Sequence, residues 1–140
     1  MCKNNCNCIS DILKVIFLLQ KNADREDDCI ESCDRPTLGQ FPCVYFNTRP
    51  VMLYTCNNTL WQMPTTKENV SCGDEGVTCS SVFRVEKIDG NCCTFRVLAD
   101  NPDTEEQATI PYVATNSFFT INLNCVCALK CLNDTYIECI

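Results

Sequence analysis

The chain has 140 residues, which is enough for one domain with its own hydrophobic core. It contains 15 cysteines, an odd number, so at least one thiol is free, metal-bound or paired with another chain. It has no histidine, which excludes His-dependent catalysis and imidazole zinc sites, and a net charge of −7, which argues against nucleic acid as a partner.

The cysteine content is typical of extracellular proteins, but the N-terminus does not resemble a signal peptide. The apolar stretch 12–19 contains Lys14, follows Asp11, and precedes no small-residue cleavage site. It is also too short to span a bilayer, so no membrane partner is expected. A protein made in a reducing compartment and oxidised later fits both observations.

Residues 1–9 form a predicted flexible arm that precedes a single domain over residues 10–140. The arm carries Cys2, Cys6 and Cys8 and has no apolar anchor, so its thiols can reach other molecules. Cys139 lies in a short C-terminal tail with the same freedom. These four residues are the predicted sites of disulfides between chains.

The arm leads into a predicted helix over about 10–22. Ser10 is a suitable N-cap for a helix from Asp11 to Asn22, and Asp11 suits the positive end of the helix dipole. The apolar residues cover more than one stripe of this helix. It therefore packs either against the body of the domain, which we favour, or against a neighbouring subunit.

From residue 38 onward the pattern changes to β-strands. Two short apolar runs, 41–46 and 51–55, are separated by a turn at residues 47–50. Pro50 favours an extended backbone at Arg49 and fixes the corner from which this guanidinium projects. Arg49 is predicted to form an ion pair, either within the fold or across an interface.

The segment from Val82 to Leu98 is a predicted hairpin with a defined register. A loop of residues 89–91 places Phe83 opposite Val97 and Val85 opposite Phe95, which keeps the apolar face intact. The other face then has Arg84 opposite Arg96 and Glu86 opposite Thr94, with Glu86 diagonal to both arginines.

The hairpin also contains two adjacent cysteines, Cys92 and Cys93. Neighbouring residues of a strand point to opposite faces, so one thiol is predicted to face the core and the other to face outward.

The segment 117–127 is a predicted strand with one apolar face, after an edge strand at 108–113 that contains Pro111. Residues 128–132 either continue this strand or turn into a helical end. Cys125 and Cys127 share the apolar face and are poorly placed to bond to each other. We therefore favour partners elsewhere in the fold. The candidates for disulfides within the chain are Cys92, Cys93, Cys125, Cys127 and Cys131.

These elements together predict a mainly β, α+β fold: an antiparallel, β-sandwich-like domain with one N-terminal helix.

Three blocks of sequence resemble the cysteine-rich spore coat and exosporium proteins of the CotY/CotZ/ExsY family. They are Asn-Thr-Arg-Pro at 47–50 followed by Leu-Tyr-Thr at 53–55, Phe-Arg-Val-Glu at 83–86, and the segment 121–132 with its Cys-x-Cys-Ala-x-x-Cys-Leu ending. The chain departs from the family pattern at Asn122 and Val126 and lacks a His-rich tail.

The resemblance implies a structural protein rather than an enzyme, without cofactors. It implies synthesis in the mother-cell cytoplasm and self-assembly at the spore surface, in the coat crust or the exosporium. The expected partners are copies of the chain itself, in a hexagonal lattice hardened by interchain disulfides, and other coat or exosporium proteins.

The alternative is a zinc-binding module. Cys6, Cys8, Cys125 and Cys127 would supply four thiolates, although their Cys-x-Cys spacing is not the Cys-x-x-Cys of common zinc folds.

Overall fold

The computed structural model describes residues 8–23, 46–105, 107, 110–138 and 140. Cys2, Cys6, Cys139 and the run 41–45 lie outside these ranges. The described residues form one helix and seven strands: α1 (Cys8–Asn22), β1 (Val51–Thr55), β2 (Met63–Pro64), β3 (Cys79–Ser80), β4 (Val82–Asp89), β5 (Cys92–Asp100), β6 (Tyr112–Asn122) and β7 (Val126–Cys131). The predicted mainly β class with one helix is confirmed.

Five strands form an antiparallel sheet in the order β6-β5-β4-β1-β7, and β2 and β3 form a small second sheet. The last strand of the chain pairs with the first, from Val51 opposite Cys131 to Tyr54 opposite Ala128. The Ser117 hydroxyl donates to the Pro64 carbonyl at 2.8 Å and so connects the two sheets.

The large sheet must curl, because its two edge strands follow each other in the chain. β6 ends at Asn122 and β7 begins at Val126. Four residue steps span at most about 14 Å, whereas the edges of a flat five-stranded sheet lie about 19 Å apart. The two edges therefore approach each other at the turn between β6 and β7.

That turn is a 3₁₀ helix, Leu123–Cys125, and it breaks the strand predicted over 117–127. The Asn122 side chain accepts a hydrogen bond from the Asn124 amide at 3.0 Å, a local bond that competes with strand pairing. The prediction of one continuous apolar face was wrong as a result. Cys125 and Cys127 are exposed, whereas Leu123 and Val126 are buried.

The register of the β4–β5 hairpin is confirmed beyond its loop, with Phe83 opposite Val97 and Val85 opposite Phe95. The loop itself is shorter than predicted: Asp89 pairs with Cys92, which leaves only residues 90–91 in the turn. Gly90 supplies the positive φ, +59°, that such a tight turn needs.

A bulge between Val85 and Lys87 compensates for the shorter loop. Glu86 is the extra residue of that bulge, and Lys87, not Glu86, lies opposite Thr94.

The core lies on the concave face of the sheet under the helix. Phe83, Phe95 and Phe119 contact one another, with ring centroids 4.8 Å apart for Phe83–Phe119 and 5.4 Å apart for Phe95–Phe119. Leu13 and Ile16 of α1 are buried in the same cluster. Packing of the helix against the body is therefore observed.

The helix is held by polar contacts at both ends. It begins at Cys8, before the predicted cap, and Ser10 lies inside it with its hydroxyl donating to the Gly90 carbonyl at 3.3 Å. Near the other end the buried Gln20 donates to the Val85 carbonyl at 2.8 Å and accepts from the Arg49 amide at 3.2 Å.

The outer face of the helix is also apolar: Ile12, Val15, Leu18 and Leu19 are each about half exposed. No helix within the described ranges has both the length and the hydrophobicity that a membrane crossing requires.

Candidate functional site

The described cysteines occupy three chemical states. Four form two disulfides, Cys56–Cys127 and Cys72–Cys79. Cys93 is a buried thiol, and the remaining four are exposed thiols: Cys8, Cys92, Cys125 and Cys131. Of the five residues predicted to pair within the chain, Cys127 is in a disulfide and the other four are free.

The Cys56–Cys127 disulfide attaches the edge strand β7 to its neighbour β1. It joins the residue after β1 to the second residue of β7, with Cα atoms 4.8 Å apart and 71 residues apart in sequence. Cys56 was not identified from the sequence. The signal that would have found it is the pairing of the first strand with the last, which is a long-range feature.

The Cys72–Cys79 disulfide closes a small loop before β3, with a sequence separation of 7. The sequence of residues 68–78 is polar and contains two glycines, which is typical of a loop. The glycines between the two cysteines, Gly73 and Gly76, are the local signal that this segment turns back on itself.

Cys92 and Cys93 point to opposite faces of β5, as predicted. Cys93 is fully buried beside Val85 and Phe95 in the core cluster, and its burial raises its pKa to about 12. Because the thiolate is the reactive form of cysteine, Cys93 is chemically inert in the folded protein. Cys92 is exposed to solvent.

Three of the exposed thiols belong to one end of the domain, which we call the hairpin end. It consists of the loop 90–91 and the residues that adjoin it: the start of α1, the start of β5 and the 3₁₀ turn. Ser10 contacts Gly90 through its hydroxyl, and the Leu123 amide donates to the Asn91 carbonyl at 2.7 Å. Cys8, Cys92 and Cys125 are therefore each within two residues of the loop or of a residue that is bonded to it.

The fourth exposed thiol, Cys131, lies elsewhere. It is opposite Val51, which pairs with Phe83, and Phe83 is six residues before the end of β4 at Asp89. Six residues of a strand span about 20 Å, so Cys131 is distant from the hairpin loop along the sheet.

Arg49 and Asp134 form an ion pair close to Cys131. Two hydrogen bonds join the guanidinium to the carboxylate, at 2.7 and 3.0 Å. The bond to Arg49 lowers the pKa of Asp134, and the bond to Asp134 raises the pKa of Arg49. Arg49 was predicted to form an ion pair either within the fold or across an interface, and the structure contains the pair within the fold.

Glu86 lies between two arginines, as its diagonal position predicted. Its Oε2 accepts from Arg84 at 2.9 Å and from Arg96 at 3.0 Å. Arg84 is itself buried and also donates to the Thr48 hydroxyl at 2.9 Å.

The three blocks that carry the family resemblance meet in the structure. The first block pairs with the last through β1 and β7, and with the second through Val51–Phe83 and the Thr48–Arg84 hydrogen bond. The shared residues therefore build the β4-β1-β7 part of the large sheet, which explains why the three blocks lie close together.

The structure gives no support to the zinc alternative. Within the described part of the chain, no three His, Cys, Asp or Glu residues are grouped so that they could hold a metal ion. Of the four proposed ligands, Cys127 is in a disulfide with Cys56 and Cys6 lies outside the described ranges.

Comparison with known proteins gives a match to a family model. The model is described as spore coat protein Z and matches residues 2–134, nearly the whole chain. No curated protein and no solved structure gives a significant match. The match covers all three blocks of the resemblance and the curled sheet that they build. The chain therefore belongs to the spore coat protein Z family.

Proposed function

We propose that this spore coat protein is a self-assembling structural subunit whose copies form a lattice that interchain disulfides harden. Membership of the spore coat family supports a structural role at the spore surface. The lattice, the covalent links between copies and the choice between coat crust and exosporium are our extension of that role.

The observation that carries the proposal is the surplus of exposed thiols. Cys8, Cys92, Cys125 and Cys131 are free and exposed, on a domain whose core is packed and whose strands β1 and β7 are already joined by a disulfide. A domain of this size does not need these sulfurs to fold. Disulfides to other molecules would account for these thiols.

Reversible association must precede the covalent bonds. A disulfide forms only where geometry brings two sulfurs together, so docked copies select their own pairs. The net charge of −7 makes copies repel at long range, and apolar contact must overcome this repulsion. The outer face of α1, with Val15 and Leu18 more than half exposed, provides apolar surface for such contact.

This order of events fits a protein made in the reducing mother-cell cytoplasm and oxidised at the spore surface. The proposed partners are further copies in a hexagonal lattice and other coat or exosporium proteins. Each interchain disulfide removes two electrons and two protons from two thiols, and a low-molecular-weight disulfide accepts them and becomes two thiols.

Electron microscopy combined with gel electrophoresis tests the proposal. Purified protein, first reduced and then oxidised, should form ordered sheets or rings. Non-reducing gels should show species of high mass that return to monomer only when a reductant is added. Dispersed monomers after oxidation, with no species of high mass, would contradict the proposal.

A triple variant tests the predicted role of the N-terminal arm. Cys2→Ser, Cys6→Ser and Cys8→Ser together should leave the monomer folded and make the assembly easier to dissociate in denaturant. Cys131→Ser, also at an exposed free thiol, is the control for the loss of one reactive sulfur. Sheets of the triple variant that resist denaturant as well as the parent's would show that the arm is not needed.

A further inference from the structure

The three thiols of the hairpin end come from three separate elements of the chain. Cys8 starts α1, Cys92 starts β5, and Cys125 ends the 3₁₀ turn. All three are exposed and free. Cys93 has a structural role in the packing of the core, and Cys56, Cys72, Cys79 and Cys127 have one in disulfides. The three thiols of the hairpin end have neither role.

We propose that the hairpin end is a cross-linking face for a second copy of this chain, and that Cys92 and Cys125 form disulfides to that copy. This inference rests on the proposed function and assigns it a place on the molecule. It also gives Cys92 and Cys125 a different role from the one their sequence positions suggested, which was pairing within the chain.

The rigidity of the elements supports the assignment. Cys92 pairs with Asn122 in the β5–β6 ladder, and Cys125 follows Leu123, whose side chain is buried and whose amide is bonded to Asn91. Their backbones are thus fixed relative to each other. A rigid pair of thiols presents the same geometry on every copy, which is what repeated bonding in an ordered layer requires.

The charges at this end show why a covalent bond is useful there. Asp89 adjoins the loop and Asp11 lies in the first turn of α1, and both are exposed. Two hairpin ends that approach each other bring these carboxylates together, so the contact is weak on its own. Salt screens the repulsion and should therefore accelerate the cross-linking reaction.

The chemistry needs only an exchange with a low-molecular-weight disulfide such as oxidised glutathione. The thiolate of Cys92 or Cys125 attacks that disulfide, forms a mixed disulfide and releases one small thiol. A thiolate on the second copy then attacks the mixed disulfide and releases the other small thiol. Two protein thiols are oxidised, and one small disulfide is reduced to two thiols.

Isotope mixing tests the proposal in the full chain. Equal amounts of unlabelled and ¹⁵N-labelled protein are mixed while reduced, oxidised with oxidised glutathione, alkylated and digested without reduction. We expect mass spectrometry to find disulfide-linked peptide pairs that contain Cys92 or Cys125 and combine the two isotopes. Pairs of these residues that never combine the isotopes, such as Cys92 bonded to Cys125 within one chain, would overturn the inference.

A matched pair of variants gives a second readout. Cys92→Ser with Cys125→Ser should lose the isotopically mixed pairs at this face and slow the formation of covalent dimers, whereas Cys131→Ser should retain the mixed pairs at this face. The fluorescence of Trp61 and the circular dichroism of the double variant establish that it is folded. Unchanged dimer formation in the folded double variant would overturn the inference.

The outcomes separate this inference from the proposed function. Covalent multimers that form only through other cysteines would overturn the role of the hairpin end and leave the lattice proposal standing. An absence of any covalent multimer would overturn both.

Discussion

Cysteine thiols are in opposite environments on the buried face of the sheet and at the hairpin end. Cys93 and Cys92 are neighbours on β5, yet one is enclosed by Phe95 and Val85 and the other is open to solvent. The alternation of a strand produces this difference within a single residue step. The comparison shows that the position of a thiol relative to the core, rather than the number of cysteines, decides its chemistry.

The largest expected effect is in the reactivity of these two neighbours. The pKa of Cys93 is raised to about 12 from an ordinary 9.0. At pH 8 its thiolate fraction is therefore about three orders of magnitude below that of an unperturbed thiol. Iodoacetamide with peptide mass spectrometry should find Cys92 modified and Cys93 unmodified in the folded protein. Equal labelling before addition of urea would contradict the comparison.

The same burial predicts a dependence of stability on pH. Unfolded Cys93 ionises near its ordinary pKa of 9.0, whereas the folded thiol stays neutral up to about 12. The stabilisation is thus fully present below pH 9 and is lost as the pH rises toward 12. The free energy of unfolding should fall over this range, and Cys93→Ala should reduce the slope. If Cys93→Ala left this pH dependence unaltered, the loss of stability would be caused by the ionisation of other groups.

Removal of an aromatic ring tests the buried face directly. Phe83→Ala leaves a cavity against Phe95 and Phe119 and should lower the free energy of unfolding by about 3–5 kcal/mol. Urea titration followed by Trp61 fluorescence measures this loss. Phe118→Ala is the control: Phe118 is 47% exposed and stacks on Arg96 at 4.4 Å, so its loss should cost only about 0.5–1 kcal/mol.

Removal of the Cys56–Cys127 disulfide tests how firmly the edge strand β7 is attached to β1. The paired change Cys56→Ser and Cys127→Ser should lower the free energy of unfolding of the oxidised protein by about 2–4 kcal/mol, because the bridge closes a long loop. The paired change Cys72→Ser and Cys79→Ser removes a bridge that closes a much shorter loop, with a sequence separation of 7. It should therefore lower the free energy of unfolding by less. An equal loss in both pairs would contradict the loop-length explanation.

Replacement of Glu86 should have a smaller effect. Glu86→Gln removes the charge that both Arg84 and Arg96 contact, at 2.9 and 3.0 Å, and should cost about 1–3 kcal/mol. Arg84 is largely buried, so its charge cannot turn freely to water. Chemical denaturation at low salt checks this value. A loss no larger than that of Glu138→Gln, at an exposed position, would show that the bulge carboxylate does not matter.

The smallest effect belongs to the ion pair near Cys131. Arg49 and Asp134 are 37% and 38% exposed, and Asp134→Asn should cost only about 0.2–1 kcal/mol. Because the pKa of Asp134 is lowered, its contribution is present above the ordinary value of 3.8 and is lost as the pH falls through the folded pKa. NMR titration of the Asp134 carboxyl checks this direction; a value above 3.8 would contradict it.

Local alternation predicted the parts of the fold that depend on it. The register of Phe83 with Val97 and the opposite faces of Cys92 and Cys93 both follow from a period of two. The length of the loop and the presence of the bulge could not be predicted in this way. A three-residue loop without a bulge and a two-residue loop with a bulge at Glu86 produce the same register from Val85 to Phe83. Only the structure distinguishes them.

The errors came from long-range contacts and from local side-chain bonding. The alternation continues through Leu123 and Cys125, so it hid the 3₁₀ turn that the Asn122 side chain stabilises. Ser10 has the chemistry of a helix cap, but its hydroxyl bonds to Gly90, 80 residues away in sequence. The Cys56–Cys127 disulfide depends on the pairing of the first and last strands, which no local pattern encodes.

Burial of Cys93 also bears on what heat does to an oxidised coat. The Cys93 sulfur of each copy stays reduced while the core is intact, because oxidants cannot reach it. In the proposed lattice, melting of the core would release it as a nucleophile beside the disulfides of its own chain and those to neighbouring chains, with which it could exchange. The temperature at which such a network begins to rearrange is then set by the unfolding of its subunits and not by the strength of its S–S bonds.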